Sequence, residues 1–246
     1  MSSLRGHSAA SDVYKIQILT HPVPAKLSFI DHHDEALVLA GEPTQEHVEM
    51  VENADLIIVV DTSEPDRLGH MKTLVDASSA PRICIDHHLG GDEDYFSQIW
   101  CENQSPSTGN LVLRVVEKLV DELSQETAES LFVAIATDTG WFRYSNSGTL
   151  AYRDAARLID AGVDPEPIFQ RIFQSFSLPR TLLLGDLLAA IETSEGSQVV
   201  YSVLSESMRR HRGIGLEDLD GFVDSLGQIE GSEIIFLVVE VGPQRY

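Results

Sequence analysis

The apolar residues in the first half of the chain form short continuous runs that end in polar side chains. Residues 54–61 read ADLIIVVD, and residues 82–88 read RICIDHH. Runs that are apolar on both faces are typical of the central strands of a parallel sheet covered by helices. Helical patterns occupy residues 44–53, before the first run, and residues 71–77, between the two. We therefore predict a βαβ arrangement in this part of the chain.

The pattern changes to a helical period after residue 105. Apolar residues recur at three- and four-residue intervals from Leu111 to Leu123, and the preceding serines and threonine can cap that helix. Two more helices are expected at 127–137 and 150–162, the second of which ends in a glycine followed by a proline. Beyond these, a different order of elements is predicted: helix 178–195, strand 198–204, polar helix 216–226 and strand 233–241. A domain boundary is expected between residues 146 and 178.

The composition is that of a globular chain. Of its 246 residues, 43% are hydrophobic, which is enough for a core. No apolar run approaches the roughly 18 residues of a membrane helix, and the first residues lack the apolar stretch of a secretory signal. The two cysteines do not form a Cys-x-x-Cys pair, so we expect reduced thiols, a cytoplasmic protein and no membrane partner.

The charge balance limits the classes of molecule that the chain is expected to bind. Thirty-nine acidic residues against seventeen basic ones give a formal net charge of -22. Such a chain repels duplex DNA at long range, so recognition through phosphate neutralisation is not expected. Most of the acidic side chains are expected to be solvated surface, although carboxylates are also metal ligands.

Polar side chains follow both predicted strands. Asp61 ends the first run, and Asp86, His87 and His88 end the second. If the strands are neighbours, these groups meet at the carboxyl edge of the sheet, where α/β proteins bind their ligands. Carboxylates together with imidazoles suit Mn²⁺, Fe²⁺, Zn²⁺ or Co²⁺ better than Ca²⁺. The alternatives are a helix cap or turn at Asp61 and a plain polar turn at residues 86–88.

A further carboxylate, Asp138, ends an apolar helical segment just before Gly140. The helix macrodipole disfavours a negative charge at that end, so a nearby cation would explain the aspartate. An Asx turn into Gly140 is the alternative interpretation.

Four motifs in order identify a family resemblance: VVDTSEPDRLG, ICIDHH, SPSTGNLV and AIATDTGWFRYSNS. They resemble the DHH phosphoesterase superfamily, and within it the branch of small oligoribonucleases that also dephosphorylate adenosine 3',5'-bisphosphate. The resemblance implies an α/β fold, with a Rossmann-like parallel-sheet DHH domain at residues 1–146 and linker helices at 147–180. A smaller C-terminal α/β domain for substrate binding, incomplete here, is expected at 181–246.

The resemblance also implies roles for the polar residues. Asp61 resembles the carboxylate that bridges two Mn²⁺ ions, and His87 and Asp138 resemble further ligands of one of them. His88 would contact the scissile phosphate, and Asp86 would orient an imidazole from outside the ligand shell. The helix-opening motif implies substrate-binding residues, namely Ser107, Thr108 and Gly109.

Two departures from the family pattern affect these expectations. The family's His-x-x-x-Asp-x-Asp motif is replaced after His21 by PVPAKLSFID, so we expect the first strand and its metal motif to be missing. One ion then keeps Asp61, His87 and Asp138, whereas the other keeps only Asp61. Asp31-His32-His33 follows no buried strand and is not expected to be a ligand set. The chain also stops at Tyr246, before the family's glycine-rich terminal segment, so we expect truncation at both ends.

Two functional hypotheses follow from the resemblance. The first is an Mn²⁺-dependent phosphoesterase that hydrolyses short single-stranded RNA or a nucleoside 3',5'-bisphosphate. The second is a catalytically impaired relative that acts as a binding or regulatory protein. Either hypothesis is compatible with a homodimer. A Rossmann-type dinucleotide site is not expected, because no Gly-x-Gly-x-x-Gly follows a predicted strand.

Overall fold

The computed structural model describes residues 17–31, 36–39, 41–194 and 198–242. The chain divides into two compact units, residues 1–172 and 173–246. Helices and short, mainly parallel sheets make up both units, so the predicted α/β class is confirmed. No helix within these ranges has the length and apolar character needed to cross a membrane.

The first unit begins with parallel strands separated by short helices. Its elements in chain order are β1 (Gln17–Leu19), β2 (Ala36–Val38), α1 (Gln45–Glu52), β3 (Ile57–Val60), α2 (Met71–Ala77), β4 (Arg82–Asp86) and β5 (Gln98–Cys101). Strands β1 and β2 pair with each other, and β3, β4 and β5 form a second sheet in that order. All pairs are parallel, with Val60 opposite Ile85 and Asp86 opposite Cys101. The predicted βαβ arrangement is therefore confirmed, and the ends of β3 and β4 are neighbours.

Strand β3 lies at an edge of its described sheet, and one of its faces is exposed. Ile58 and Val60 are 55% and 51% accessible, whereas Val59 between them is buried. Val59 packs with Leu68, Cys84 and Phe96 in a small apolar cluster.

A group of helices completes the first unit: α3 (Thr108–Leu119), α4 (Gln125–Asp138), α5 (Thr149–Asp160) and α6 (Pro165–Phe173). The side chains of Ser107 and Ser124 accept hydrogen bonds from the backbone of the first turns of α3 and α4, which is the ordinary N-cap arrangement. The interior is apolar and fully buried at Leu111, Phe132 and Leu158. Regular periodicity made α3, α4 and α5 predictable except for their exact ends, whereas α6 was not predicted as a separate helix.

The second unit contains α7 (Leu178–Ala189), β6 (Glu192–Thr193), β7 (Val199–Leu204), α8 (Glu206–Arg212), α9 (Phe222–Leu226) and β8 (Ile234–Val239). Strand β7 pairs in parallel with β8 and in antiparallel with the short β6. The core includes Leu183, Leu187, Leu204 and Phe222. The polar helix predicted at 216–226 is interrupted by Gly221, whose φ of 79° leaves a 3₁₀ turn before α9.

Candidate metal centre

Three acidic or imidazole groups lie at the carboxyl edge of the β3–β4 pair. Asp61 directly follows β3, and its N–H donates to the carbonyl of Ile85 at 3.0 Å, which extends the strand ladder by one bond. His87 and His88 directly follow β4. Asp61 has a φ of 66°, in the left-handed region that non-glycine residues rarely occupy. Such strain is concentrated at functional sites in proteins.

The ring of His87 is held by a backbone carbonyl. Its Nδ1 lies 3.2 Å from the carbonyl oxygen of Ser105, just before α3. A carbonyl only accepts hydrogen bonds, so Nδ1 carries the proton and Nε2 of the neutral ring presents its lone pair. Nε2 is buried and has no hydrogen-bond partner among the described residues. The atoms nearest to it include Oδ2 of Asp138 at 3.2 Å and Oδ1 of Asp61 at 3.8 Å.

This arrangement fits a cation. A nitrogen lone pair facing two carboxylate oxygens is repulsive unless a positive charge lies between them. Two ligand atoms that are each about 2.1 Å from one ion lie about 3.0 to 3.4 Å apart at usual angles. The distances from His87 to Asp138 and Asp61 are close to that range. Imidazole with two carboxylates is a donor set for Mn²⁺, Fe²⁺ or Zn²⁺.

Asp138 is the last residue of α4, and its side chain is about three-fifths buried. Burial is the largest influence on this carboxyl and raises its pKa above the usual value. A positive charge on the His87 ring would oppose this rise in pKa, and the negative charge of Asp61 adds to it. An ion-free cluster therefore holds the Asp138 carboxylate in an unfavourable environment that a bound cation would relieve.

His88 is oriented by the carboxylate of Asp86. Oδ1 of Asp86 lies 2.7 Å from Nδ1 of His88 and also accepts hydrogen bonds from the backbone N–H groups of His87 and His88. Asp86 is fully buried, which by itself raises its pKa. Hydrogen bonding by Ser63, His88 and the two N–H groups outweighs burial, so the pKa of Asp86 is lowered and the carboxylate stays charged. Nδ1 of His88 is therefore protonated, and Nε2 is the ring atom left for other contacts.

The metal ligands implied by the family resemblance do not all lie equally close to one another. Among the described residues, one group of three or more acidic, histidine or cysteine side chains has ligand atoms within 4.8 Å of one another: Asp61, His87 and His88. Asp138 lies outside that group but approaches Nε2 of His87 more closely than Asp61 does. His87 is thus the common neighbour of both carboxylates.

The helix-opening residues are buried at the start of α3. Ser107 donates to Oδ1 of Asn110 and accepts from its N–H, so its hydroxyl is used by the helix cap. Gly109 packs on α4, because a Cβ there would lie 3.0 Å from Ala134. The hydroxyl of Thr108 has no partner within the described ranges. A substrate contact by these three residues stays a prediction.

Sequence reasoning missed a buried polar network between α3 and α5. Nδ2 of Asn110 donates to Oδ2 of Asp154 at 2.7 Å, and Arg157 donates to Oδ1 of the same carboxylate at 3.3 Å. Asn110 and Asp154 are 0% and 2% exposed. The network joins α5 to the cap of α3, next to the Ser105 carbonyl that holds His87. The sequence signal that could have revealed this network is one polar residue on the inner face of each helix, Asn110 in α3 and Asp154 in α5.

The other histidine and aspartate candidates do not join the cluster. Nδ1 of His21 lies 3.0 Å from the hydroxyl of its neighbour Thr20. Asp31 is described but belongs to no metal-ligating group found in the described part of the chain. His32 and His33 lie outside the described residues.

Comparisons with known proteins agree with the motifs. No family model matches the chain. A bifunctional oligoribonuclease and PAP phosphatase from Thermus thermophilus is 28% identical over 80% of this chain and 57% of its own length. A probable bifunctional oligoribonuclease and PAP phosphatase from Streptococcus mutans is 21% identical over 76% of this chain and 63% of its own length. The chain thus spans about three-fifths of these curated relatives.

The fold also has a relative among solved structures. The crystal structure of an exopolyphosphatase-related protein from Bacteroides fragilis superposes with a TM-score of 0.81 at 24% identity. The match covers 87% of this chain and 63% of that one. This likeness shows the fold of the chain. The curated relatives and the four ordered motifs agree with the resemblance to the DHH superfamily.

Proposed function

We propose that this chain is a divalent-metal phosphoesterase that hydrolyses short oligoribonucleotides or a nucleoside 3',5'-bisphosphate, with Mn²⁺ as the metal. The curated relatives carry the names of enzymes with those two substrates, which supports the substrate classes. The central observation is the buried Nε2 of His87, which has its lone pair directed among carboxylate oxygens and no hydrogen-bond partner in the described ranges.

Three residues would hold the ion in this proposal: Asp61, His87 and Asp138. A divalent cation bound there supplies Lewis-acid stabilisation of phosphoryl oxygens and activation of water. His87 contributes a neutral nitrogen, because the Ser105 carbonyl keeps the proton on Nδ1. Asp61 and Asp138 contribute the negative charge that compensates the ion. We propose a single ion, since these groups supply one set of ligands around Nε2 of His87.

His88 would act on the substrate. Asp86 fixes the ring orientation and keeps the proton on Nδ1, as in catalytic Asp–His pairs. Nε2 of His88 is then the atom that contacts a phosphoryl oxygen or exchanges a proton with the reacting group. The side chain is 42% exposed, so a substrate can reach it.

The anionic surface of the chain disfavours the approach of an anionic substrate. A net charge of -22 gives long-range repulsion, and salt screens it over roughly 8 to 10 Å. The bound cation is therefore the main local attraction for phosphate in this proposal. We expect KM for a bisphosphate substrate to fall as ionic strength rises, whereas an enzyme steered by basic residues shows the opposite trend.

The test is hydrolysis of a ribodinucleotide and of adenosine 3',5'-bisphosphate with Mn²⁺ and with excess chelator. Wild-type turnover should disappear with the chelator and in His87→Ala, and a calorimetric titration should give one Mn²⁺ per chain. His70→Ala is the matched control, because His70 is exposed and makes no capping bond at the start of α2. It should retain both activity and Mn²⁺ binding.

Two results would contradict the proposal. Mn²⁺ binding without turnover on either substrate would remove the hydrolase assignment and favour a binding or regulatory role. Turnover that survives in His87→Ala would place the reaction elsewhere in the chain. A stoichiometry of two tight ions would disprove the single-ion part alone and point to ligands outside the cluster.

A further inference from the structure

One side chain in the loop between α4 and α5 hydrogen-bonds to two segments beside the candidate metal centre. Asn146 lies in this loop, and its Nδ2 donates to the carbonyl of Pro106 at 2.9 Å and to the carbonyl of Asp138 at 3.2 Å. An amide NH₂ group has two hydrogens, so both bonds are satisfied at once. The two acceptors lie 40 and 8 residues away along the chain. One amide thus links two segments that are distant in sequence.

Both of those segments hold His87. The carbonyl of Ser105, one residue before Pro106, accepts the Nδ1–H of His87 and fixes its tautomer. Asp138 presents its carboxylate 3.2 Å from Nε2 on the other side of the ring. The bonds of Asn146 therefore set the spacing between the group that orients the imidazole and the group that faces its lone pair.

Both carbonyls need a donor from outside their own segment. Asp138 ends α4, where the last carbonyls of a helix have no partner within the helix. Pro106 is buried, so water cannot readily replace the amide. The hydroxyl of Ser147 donates to the next carbonyl, that of Thr139, at 3.2 Å. The loop therefore holds the end of α4 at two successive carbonyls, and Asn146 alone of these two side chains also reaches the segment before α3.

We infer that Asn146 is a positioning residue of the metal centre, which sets cation affinity by holding Asp138 at a fixed distance from His87. The inference rests on the proposed metal site but assigns a role to a residue that touches neither ion nor substrate. Groups outside the ligand shell typically change metal affinity or activity 10- to 100-fold when they are removed. Because Asn146 acts on the backbone and not on a ligand atom, we expect the lower end of that range.

The experiment compares Asn146→Ala with Asn53→Ala. Asn53 is the matched control, since its Nδ2 donates to the carbonyl of Glu49 at the end of α1, in the same bond type but away from the cluster. Mn²⁺ affinity is measured by calorimetry, and the melting temperature is measured without metal. We expect Asn146→Ala to raise the Kd about tenfold and Asn53→Ala to change it less than twofold. Asn146→Asp, which keeps the shape but loses both donors, should weaken Mn²⁺ binding as the alanine does.

A second readout needs no metal. The ring ¹⁵N resonances of His87, assigned with His87→Ala, report its tautomer and surroundings in the ion-free protein. They should shift in Asn146→Ala and stay unchanged in Asn53→Ala. If wild type binds Mn²⁺ and Asn146→Ala matches Asn53→Ala in both measurements, the inference is overturned and the proposed function stands. If wild type binds no Mn²⁺ but the His87 resonances still move, the proposed function and the effect of Asn146 on cation affinity both fail, and only its effect on the His87 ring remains.

Discussion

Replacing Asp154 by asparagine tests the buried polar network that supports the site. In the native state, Oδ2 of Asp154 accepts from Asn110 and Oδ1 accepts from Arg157. Asparagine keeps one oxygen, so its NH₂ group must occupy the other position inside the protein. Arg157 can compensate, because it is half exposed and also pairs with Glu117. Asn110 cannot find another partner in this way, because it is fully buried.

The expected cost follows from two contributions. The bond to Asn110 changes from charge-assisted to neutral, which loses about 1 kcal/mol. The new NH₂ group is buried without an acceptor, which costs about 1 to 3 kcal/mol. Together they predict that Asp154→Asn lowers the free energy of unfolding by about 3 kcal/mol. For a unit of this size, that corresponds to a fall in melting temperature of about 6 to 12 °C.

Urea unfolding followed by tryptophan fluorescence measures this loss directly. Both tryptophans of the chain, Trp100 and Trp141, lie in the first unit, so the signal reports on the unit that contains the network. Asp160→Asn is the control, because Asp160 is an exposed aspartate at the end of the same helix. It should change the free energy of unfolding by less than about 0.5 kcal/mol.

A double-mutant cycle gives the refuting result. In Asn110→Asp with Asp154→Asn, the carboxylate and the amide exchange places, and each buried donor again has an acceptor. The coupling energy should therefore be favourable and between about 1 and 3 kcal/mol. If the two single changes simply add, or if Asp154→Asn costs less than about 1 kcal/mol, the network does not stabilise the unit as argued.

Four further predictions concern two glycines and the two cysteine thiols. In urea unfolding, Gly140→Ala should destabilise the first unit by at least about 1 to 2 kcal/mol, because φ is 56° and a Cβ would lie 2.4 Å from the Tyr144 ring. Gly185 lies inside α7 with open space around it, so Gly185→Ala should stabilise the second unit by about 0.5 to 1 kcal/mol. A thiol reagent should modify Cys101 in the native protein and Cys84 only in denaturant, since Cys84 is fully buried. Burial raises the pKa of Cys84 from 9.0 to about 12, so its contribution to stability is complete below pH 9 and is lost as the pH rises through 12. Between pH 9 and pH 12, the urea midpoint should fall less in Cys84→Ala than in wild type. An equal fall in both would show that Cys84 does not cause the loss of stability.

The parallel pair β3–β4 could be predicted because both strands are apolar on both faces and each ends in polar residues. Strand β5 was missed, since its four residues, QIWC, follow a charged loop and show neither alternation nor a continuous apolar run. Helix α8 was also missed, because ESMRRHR has almost no apolar residue from which to recognise a helical period.

The residue types that meet in the candidate cluster could be predicted from the sequence, whereas the contacts that support them could not. Asp61, His87 and Asp138 each follow or end an apolar segment, and parallel pairing brings the first two to one edge. The Ser105 carbonyl carries no sequence signal, because every residue has a carbonyl and only the path of the chain selects this one. Asn146 lies in a polar loop and Asp154 interrupts the apolar face of α5, but the bonding partners of both depend on how the helices pack.

The backbone at Asp61 has a consequence for the evolution of the chain. A left-handed conformation costs most residues with a Cβ about 1 to 2 kcal/mol, and aspartate less, because its side chain can hydrogen-bond locally. Glycine escapes that cost at the φ of 66° found here. Random variants that are screened only for heat tolerance should therefore accumulate glycine at position 61, although glycine has no carboxylate to offer an ion. If Asp61 holds an ion as proposed, selection for thermal stability and selection for ion binding favour different residues at this one position.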